Sequence, residues 1–521
     1  MSVLTVRPAA PVRRPVRLPA PAATWIVAAS AVPAGELDIG LLAGPYVAAD
    51  VLARRLRTEG RRVVLTTGID DHHPDVVARA LRTGRRPDDV AEAFGEAIAA
   101  DLRHAGVRLD AVARPARDAG HRRRMQAWFR RLCAEGVLVG RTVPWLWCAP
   151  CGHWLDGALA AGRCPGCDAA ASGGACPSCL RPNEAVELAG VRCAVCGGTP
   201  EVRPVAGYVL PLEGFRERLR EHWAGLPPVA GALVRWPAEV PATRPGEYGL
   251  PVDGARLATA FGRALTHLVA AQTVAADGPY RAVHFLGSRD AALHTLLIPA
   301  LLDVAGLPLP RHLHISEPYT TGAGRPLWAI DAVADVGADT LRRHVCAYRP
   351  VGRPVVHRDR ELAGSGSRLT EGWNGWLAGV LAVVRDEHGG RVPDAAPGGA
   401  GWRELRAGLE RTGEELAQAH EPAGFAPRRV VALLDGVVAR AAEFAAVNAP
   451  EPDPGRRAAA TAAQLTVASA LACWAWPLLP QGAGRLAATL GVRAGRPAAT
   501  ALRGPAAGTV LRAPAGPLFG L

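Results

Sequence analysis

At 521 residues the chain is long for one domain, and 49% apolar with 21% charged residues is the balance of a globular protein with at least one sizeable core. No apolar run reaches the length of about 18 residues that a membrane helix needs, and the N-terminus lacks the charged-then-apolar order of a signal peptide, so the expectation is a soluble cytoplasmic protein. The net charge is +12 and no lysine occurs, so all 60 basic residues are arginine. That excludes any mechanism that requires a lysine and is compatible with nucleic-acid binding, although the arginines are spread along the chain.

Residues 1–22 carry four Arg, five Pro and no acid, and read as a disordered basic arm. Strand and helix signals then alternate. WIVAAS (Trp25 to Ser30) is a strand, a turn with Pro33 and Gly35 follows, and a helix runs from about Leu41 to Glu59. RRVVLTTG (Arg61 to Gly68) is a second buried strand, followed by helical stretches from Asp89 to Gly106 and from His121 to Gly136. After an interruption the alternation resumes with RAVHFLG (Arg281 to Gly287), a helix from Asp290 to Gly306, and RHLHIS (Arg311 to Ser316). This is the pattern of a parallel sheet covered by helices, an α/β domain split by an insertion. From about Val333 only helical patterns remain, which suit a bundle, and the Pro/Gly/Ala-rich stretch from about Gly495 is expected to fray. The resulting divisions are 23–142 and 206–332 for the two halves of the α/β domain, 143–205 for the insertion, 333–494 for the bundle and 495–521 for a flexible tail.

The interruption holds four Cys-x2-Cys pairs within 49 residues: Cys148 and Cys151, Cys164 and Cys167, Cys176 and Cys179, Cys193 and Cys196. Each pair can bring two thiolates to one tetrahedral centre, so two structural zinc ions are expected, with no open ligand position for chemistry. A disulfide cluster is the alternative, and the missing signal peptide speaks against it.

The order of these features resembles methionyl-tRNA synthetase from about Trp25 to Leu490: LDIG after the first strand, TTGIDDHH (Thr66 to His73) ending the second, the four-pair insertion, VHFLGSRDAALHTLLIPALLDVAGLPLP (Val283 to Pro310), and a helical C-terminus. The resemblance implies a class I catalytic domain on a Rossmann-like sheet, a zinc-bearing connective insertion and an anticodon-binding-type bundle. It also implies that the inner cysteine pairs (Cys164, Cys167, Cys176, Cys179) share one zinc and the outer pairs (Cys148, Cys151, Cys193, Cys196) the other. Amino-acid activation by ATP with Mg, and transfer to tRNA, are the family's reaction.

Matched position by position, the first family signature, His-Ile-Gly-His, falls on Asp38, Ile39, Gly40 and Leu41. Gly40 would let the backbone approach ATP, whereas Asp38 offers the phosphates a like charge and Leu41 offers nothing. The lysine-bearing second signature falls on YTTGAGRPLWAID (Tyr319 to Asp331), where Arg325 is the one cation. Losing a single preorganised stabiliser of transition-state charge typically costs ~10²–10³ in rate, so adenylation is expected to be slowed by several orders of magnitude. Beyond Gly287, Asp290 stands one position away from the family's ribose-binding aspartate, and a one-residue slip turns a helical side chain by about 100°.

Asp70 matches the carboxylate that holds the substrate ammonium and His294 a pocket-lining histidine. The aromatic wall of that pocket aligns with Pro251-Val252-Asp253-Gly254-Ala255 and loses its tryptophan. Asp71, His72 and His73 are adjacent on a strand end and point in different directions, which argues against a metal there. In VNAPEP (Val447 to Pro452), Glu451 replaces the tryptophan that stacks on the anticodon, a contact worth ~1–3 kcal/mol per base. Three readings follow: an amino-acid-activating paralogue outside translation, helped by a partner protein; a methionine–tRNA ligase in which arginines replace lysines; and a non-catalytic amino-acid- or RNA-binding scaffold. The substrate in each is methionine or a related amino acid.

Overall fold

The computed structural model describes residues 23–225, 237–322, 327–514 and 516–520. The basic arm and Arg325 lie outside the described residues. Among them no helix is long and apolar enough to cross a membrane.

Five parallel strands form the central sheet in the order His312–Ser316, Tyr280–Gly287, Ala23–Ala28, Arg62–Gly68, Ala111–Ala113. The alternation of side chains along a strand explains its two faces. Trp25 and Val27 enter one core layer with Phe129, Phe261 and Leu268, while Ile26 and Ala28 enter the other with Leu52, Leu65 and Phe285. Strand order reverses between Ala23–Ala28 and Tyr280–Gly287, and the crevice beyond their carboxyl ends is where open α/β sheets bind ligands. Asp38, Gly40, Leu41, Asp70, Gly287, Asp290 and His294 lie at the ends of these strands or on the segments that leave them.

The insertion is carried on a long antiparallel pair, Val139–Cys148 with Glu201–Pro211, in register from Val139 opposite Val209 to Trp147 opposite Glu201. Its stem therefore starts and ends several residues outside 143–205. The C-terminal region contains the helices Asn374–His388, Trp402–Ala419, Pro427–Asn448, Pro454–Trp474 and Pro480–Leu490, and its core is continuous with one face of the sheet.

Two expectations are corrected. A strand, Val355–His357, interrupts the helices after Val333 and pairs in parallel with Tyr319–Thr321. The stretch from Gly495 does not fray: Phe519 is fully buried, its backbone N–H donates to Asn374 and its carbonyl accepts from the same amide, and its ring meets Trp373 edge-on. A Cβ on Gly482 would lie 2.3 Å from the Phe519 ring, so the glycine admits the aromatic anchor. Upstream in the tail, Val392 and Thr509, and Gly508 and Val392, exchange backbone hydrogen bonds. Sparse but deep anchors hold a segment whose composition carries no periodicity.

The sheet layer is tied to the bundle by one buried ion pair. Arg342, with no exposure, donates to Asp50 Oδ2 at 2.7 Å and to the carbonyls of Leu478 (2.7 Å), Pro477 (3.0 Å) and Ala105 (3.3 Å). Asp50 also accepts from Arg54 at 2.7 Å and from the Arg108 N–H at 3.0 Å. Removing Arg342 strips the buried Asp50 of one of its two guanidinium partners and leaves three carbonyls without their donor. Arg342→Met is expected to destabilise the protein by ~3–5 kcal/mol, read as a lowered unfolding midpoint in denaturant; an unchanged midpoint would contradict this role.

Candidate functional site

The stretch ELDIGL places a helix start directly beyond the first strand. The helical run begins at Ile39 and continues to Thr58, with a π-helical segment, Leu42–Tyr46, around Pro45, which has no N–H to give the α-helical ladder. Asp38 is its N-cap, in extended backbone, and its Oδ1 accepts from the Leu41 N–H at 2.9 Å. A free helix start offers its N–H groups to an anion. Here Asp38 is that anion, supplied by the chain itself.

The neighbouring backbone closes the start further. The Ile39 N–H donates to Leu327 at 2.9 Å and the Ala329 N–H to Leu37 at 2.7 Å, so the segment following the arginine loop is bridged to the cap. A Cβ on Gly40 would stand 2.7 Å from the Tyr319 carbonyl oxygen, so the close approach that Gly40 permits is to Tyr319. Leu41 packs partly against the core. Burial raises the Asp38 pKa, opposed by the hydrogen bonds from Leu41 and Gly40.

The second strand delivers Asp70. Its N–H donates to Ala31 at 2.9 Å, which fixes the backbone, while its Oδ2 is buried with no hydrogen-bond partner. It lines a small cavity with Ser30, Ile69, Leu250, Leu257 and Arg263. The residues after it disperse as expected. Asp71 is gripped by Arg114 through two bonds (2.8 and 3.2 Å), the His72 ring meets Tyr248 edge-on, and His73 Nδ1 caps the helix Pro74–Thr83 by accepting from the Asp75 N–H. Among the described residues no metal-ligand cluster forms there.

The aromatic wall of the cavity is absent. Pro251–Val252 and Ala255–Leu257 form a tight hairpin through Asp253 and Gly254, both with left-handed φ (38° and 82°), and the flanking Leu250 and Leu257 supply an aliphatic wall instead.

Beyond Gly287 the chain turns through a 3-10 segment, Ser288–Asp290, into a second π segment, Leu293–Leu297, before the helix Ile298–Val304. Pro299 cannot donate to the Thr295 carbonyl, which accepts from Trp223 Nε1 at 2.8 Å instead. This irregular turn directs His294 into an inner cavity with Trp25, Thr66, Thr67 and His267. His294 is buried, its Nδ1 lies 3.0 Å from His284 Nδ1, and burial lowers its pKa to about 4. Asp290 is ion-paired with Arg263 at 2.8 Å, so it does not stand as a free carboxylate for a ribose. Arg263 has no sequence signature: on the helix Thr259–Ala276 a lone arginine reads as part of a solvated face, yet it lines both cavities.

The cysteines form two tetrads in the nested arrangement. Cys148, Cys151, Cys193 and Cys196 make one group and Cys164, Cys167, Cys176 and Cys179 the other, each with its sulfurs within 4.8 Å of one another. The Sγ–Sγ separations of 3.5 and 3.9 Å in the first and 3.7 and 3.6 Å in the second match the edge of about 3.8 Å expected for four sulfurs at ~2.3 Å from a zinc ion. A disulfide would need ~2.05 Å. The Gly166, Ser178 and Gly198 N–H groups donate to Cys164, Cys176 and Cys196 at 3.4 Å each, which favours thiolates, so both tetrads fit zinc. In the bundle, the Glu451 carboxylate accepts from the Asp453 N–H at 3.1 Å and no aromatic ring stands at that position.

Residues 24–228 match the family model for tRNA synthetases class I (M). The methionine–tRNA ligase of Dehalococcoides mccartyi strain CBDB1 is 28% identical over 351 residues, 60% of this chain and 63% of that protein, so the similarity spans less than two thirds of the relative's length. The corresponding ligase of Thermomicrobium roseum is 25% identical over 456 residues, 77% of this chain and 76% of the relative. The crystal structure of Mycobacterium tuberculosis methionyl-tRNA synthetase bound by methionyl-adenylate superposes with a TM-score of 0.79, covering 95% of this chain and 99% of that one at 17% identity, which speaks for the fold. With the split parallel sheet, the nested cysteine tetrads and the helical C-terminus on one chain, these similarities make it a methionyl-tRNA-synthetase-like protein of class I fold.

Proposed function

We propose that this chain is an amino-acid-binding member of the aminoacyl-tRNA ligase family that has diverged from translation, with ATP-dependent amino-acid activation as the reaction its fold is built to perform. The observation that carries the reading is Asp70: a buried carboxylate oxygen without a partner, on a cavity beside the carboxyl ends of the strands Ala23–Ala28 and Arg62–Gly68. A buried acceptor left unmade is costly, and the α-ammonium of an amino acid would satisfy it by a charge-assisted bond. His294 lines the far end of the same space.

The nucleotide side supports slow activation at most. Mg-ATP would have to bring its phosphates to a helix start already capped by Asp38 and bridged to Leu327. Gly40 and Gly287 are the backbone positions such a nucleotide would approach, and Arg325 the one cation of the second signature. The same closed helix start favours a second reading, a binding protein without turnover, and a partner protein that supplies cations separates the two. Glu451, a carboxylate where a base would stack, argues against recognition of the methionine anticodon. Zinc in both tetrads would hold the insertion folded and take no part in chemistry.

Titration calorimetry of the zinc-loaded protein against an amino-acid panel is expected to show binding, weakened about 10- to 100-fold by Asp70→Asn, the effect of losing a charged hydrogen bond. Absence of binding by any amino acid would refute the reading. Amino-acid-dependent exchange of labelled pyrophosphate into ATP is expected to be weak and to rise in the variant with Asp38→His and Leu41→His. No change would shift the defect to the arginine loop.

Metal analysis is expected to find two zinc ions per chain, one for each tetrad. Cys164→Ser with Cys176→Ser should release one ion and open the insertion between Val139 and Pro211 to limited proteolysis, leaving the sheet resistant. Unchanged metal content would show that these cysteines are not ligands.

A further inference from the structure

The outer cavity at Asp70 and the inner cavity at His294 share Ser30, Arg263 and Thr266, so the two form one bent passage with an arginine at its elbow. The space between their walls is about 470 Å³ and 400 Å³, open solvent included, the range of a small-molecule pocket.

The polar atoms around the passage define what would fill it. Asp70 Oδ2 is an acceptor without a donor, and Arg263 Nε a buried donor without an acceptor. His267 and His294 line the inner end with ring centroids 6.0 Å apart, and His284 packs behind them at 4.7 Å from His267 and 5.1 Å from His294. The His267 Nε2 is buried and unpartnered. The α-ammonium of any amino acid would satisfy Asp70, but a thioether or alkyl side chain would leave Arg263 Nε and His267 Nε2 unmade.

Charge narrows the class further. Asp71 is cancelled by Arg114, and Arg263 by Asp290. Burial lowers the pKa of each of the three histidines and so keeps them neutral. The unbalanced charge of the passage is that of Asp70, which an α-ammonium matches. An acidic side chain would add a negative charge beside an arginine already neutralised. A basic one would face its cation.

We infer that the passage takes an amino acid whose side chain ends in a neutral hydrogen-bonding group, a carboxamide foremost, and that Arg263, held in place by Asp290, reads it as donor to the carbonyl. This rests on the amino-acid-binding reading above and names its substrate class. A site built to hydrogen-bond its ligand rejects an analogue lacking the group by up to ~10⁴–10⁵, so even a loosely fitted version should separate glutamine or asparagine from methionine by ~10-fold or more.

The test is equilibrium binding of glutamine, asparagine, methionine, norleucine and glutamate to the zinc-loaded full chain, repeated on the double variant Arg263→Met with Asp290→Leu. That variant removes both charges together, so no unpaired ion is left in the cavity. The expected result is a carboxamide binding at least ~10-fold tighter than methionine, with the order reversed in the double variant, a reversal that a merely structural ion pair would not produce. Methionine or norleucine binding tighter in the unaltered protein would overturn the inference and leave the amino-acid site standing. Glutamate binding tightest would overturn the charge argument. Binding by none of them, nor by any other amino acid at millimolar concentration, would refute the amino-acid reading itself. Should the double variant not fold, the ranking in the unaltered protein decides alone.

Discussion

The structure depends on a guanidinium placed where no water reaches. Arg342 ties the helix Val47–Thr58 of the sheet layer to the turn after Trp474 through Asp50 and two carbonyls. A hydrophobic contact of the same area would hold the bundle against the sheet at many orientations, since it has no direction. The fork of Arg342 holds it at one, because each of its bonds fixes both distance and angle. The position of the bundle relative to the sheet matters to the site because Tyr319, which fills the space beside Gly40, is held in turn by His344 at 2.8 Å on the element that carries Arg342.

Around that anchor the crevice has two halves with opposite histories of satisfaction. On the nucleotide side nearly every polar group has found a partner within the chain: the Leu41 N–H in Asp38, the Ile39 N–H in Leu327, Asp290 in Arg263. On the amino-acid side several have not: Asp70, Arg263, His267 and His284 each keep a buried atom unpaired. Folded proteins rarely leave such atoms without reason, since each carries a desolvation cost that only a ligand, a water or a conformational change can offset. Under the proposed reading, that contrast puts the binding surface at the Asp70 end of the crevice.

Much of the scaffold is legible in the sequence because its signals are local. The buried strands are short apolar runs with turn residues on both sides, and each cysteine pair carries its own spacing. The features that decide the site are not local. Arg342 and Arg343 stand side by side on a helix and read as a solvated face until Asp50, 292 residues away, is known to lie opposite. Arg263 is hidden in the same way within an otherwise apolar helix, and the closure of the helix start by Leu327 depends on a bridge between segments almost 300 residues apart. The tail is misread for the complementary reason: Pro, Gly and Ala give no periodic pattern, and its docking rests on Leu518 and Phe519 rather than on a face. The irregular turns at Leu42–Tyr46 and Leu293–Leu297 show as plain helix in the sequence, although Pro45 and Pro299 mark where the ladder must slip.

The carboxylate at Asp38 also bears on how such a molecule can change over time. A helix start with a fitting N-cap is more stable than one left open by ~0.5–2 kcal/mol, and a start that waits for a ligand must forgo that gain. A chain that carries the aspartate needs no phosphate to complete its fold at this point, and further substitutions around it can be accepted on stability alone. Reopening such a start is the steeper direction, because it gives up stability before phosphate binding there could be gained. A single cap can thus act as a one-way gate in the divergence of an enzyme fold.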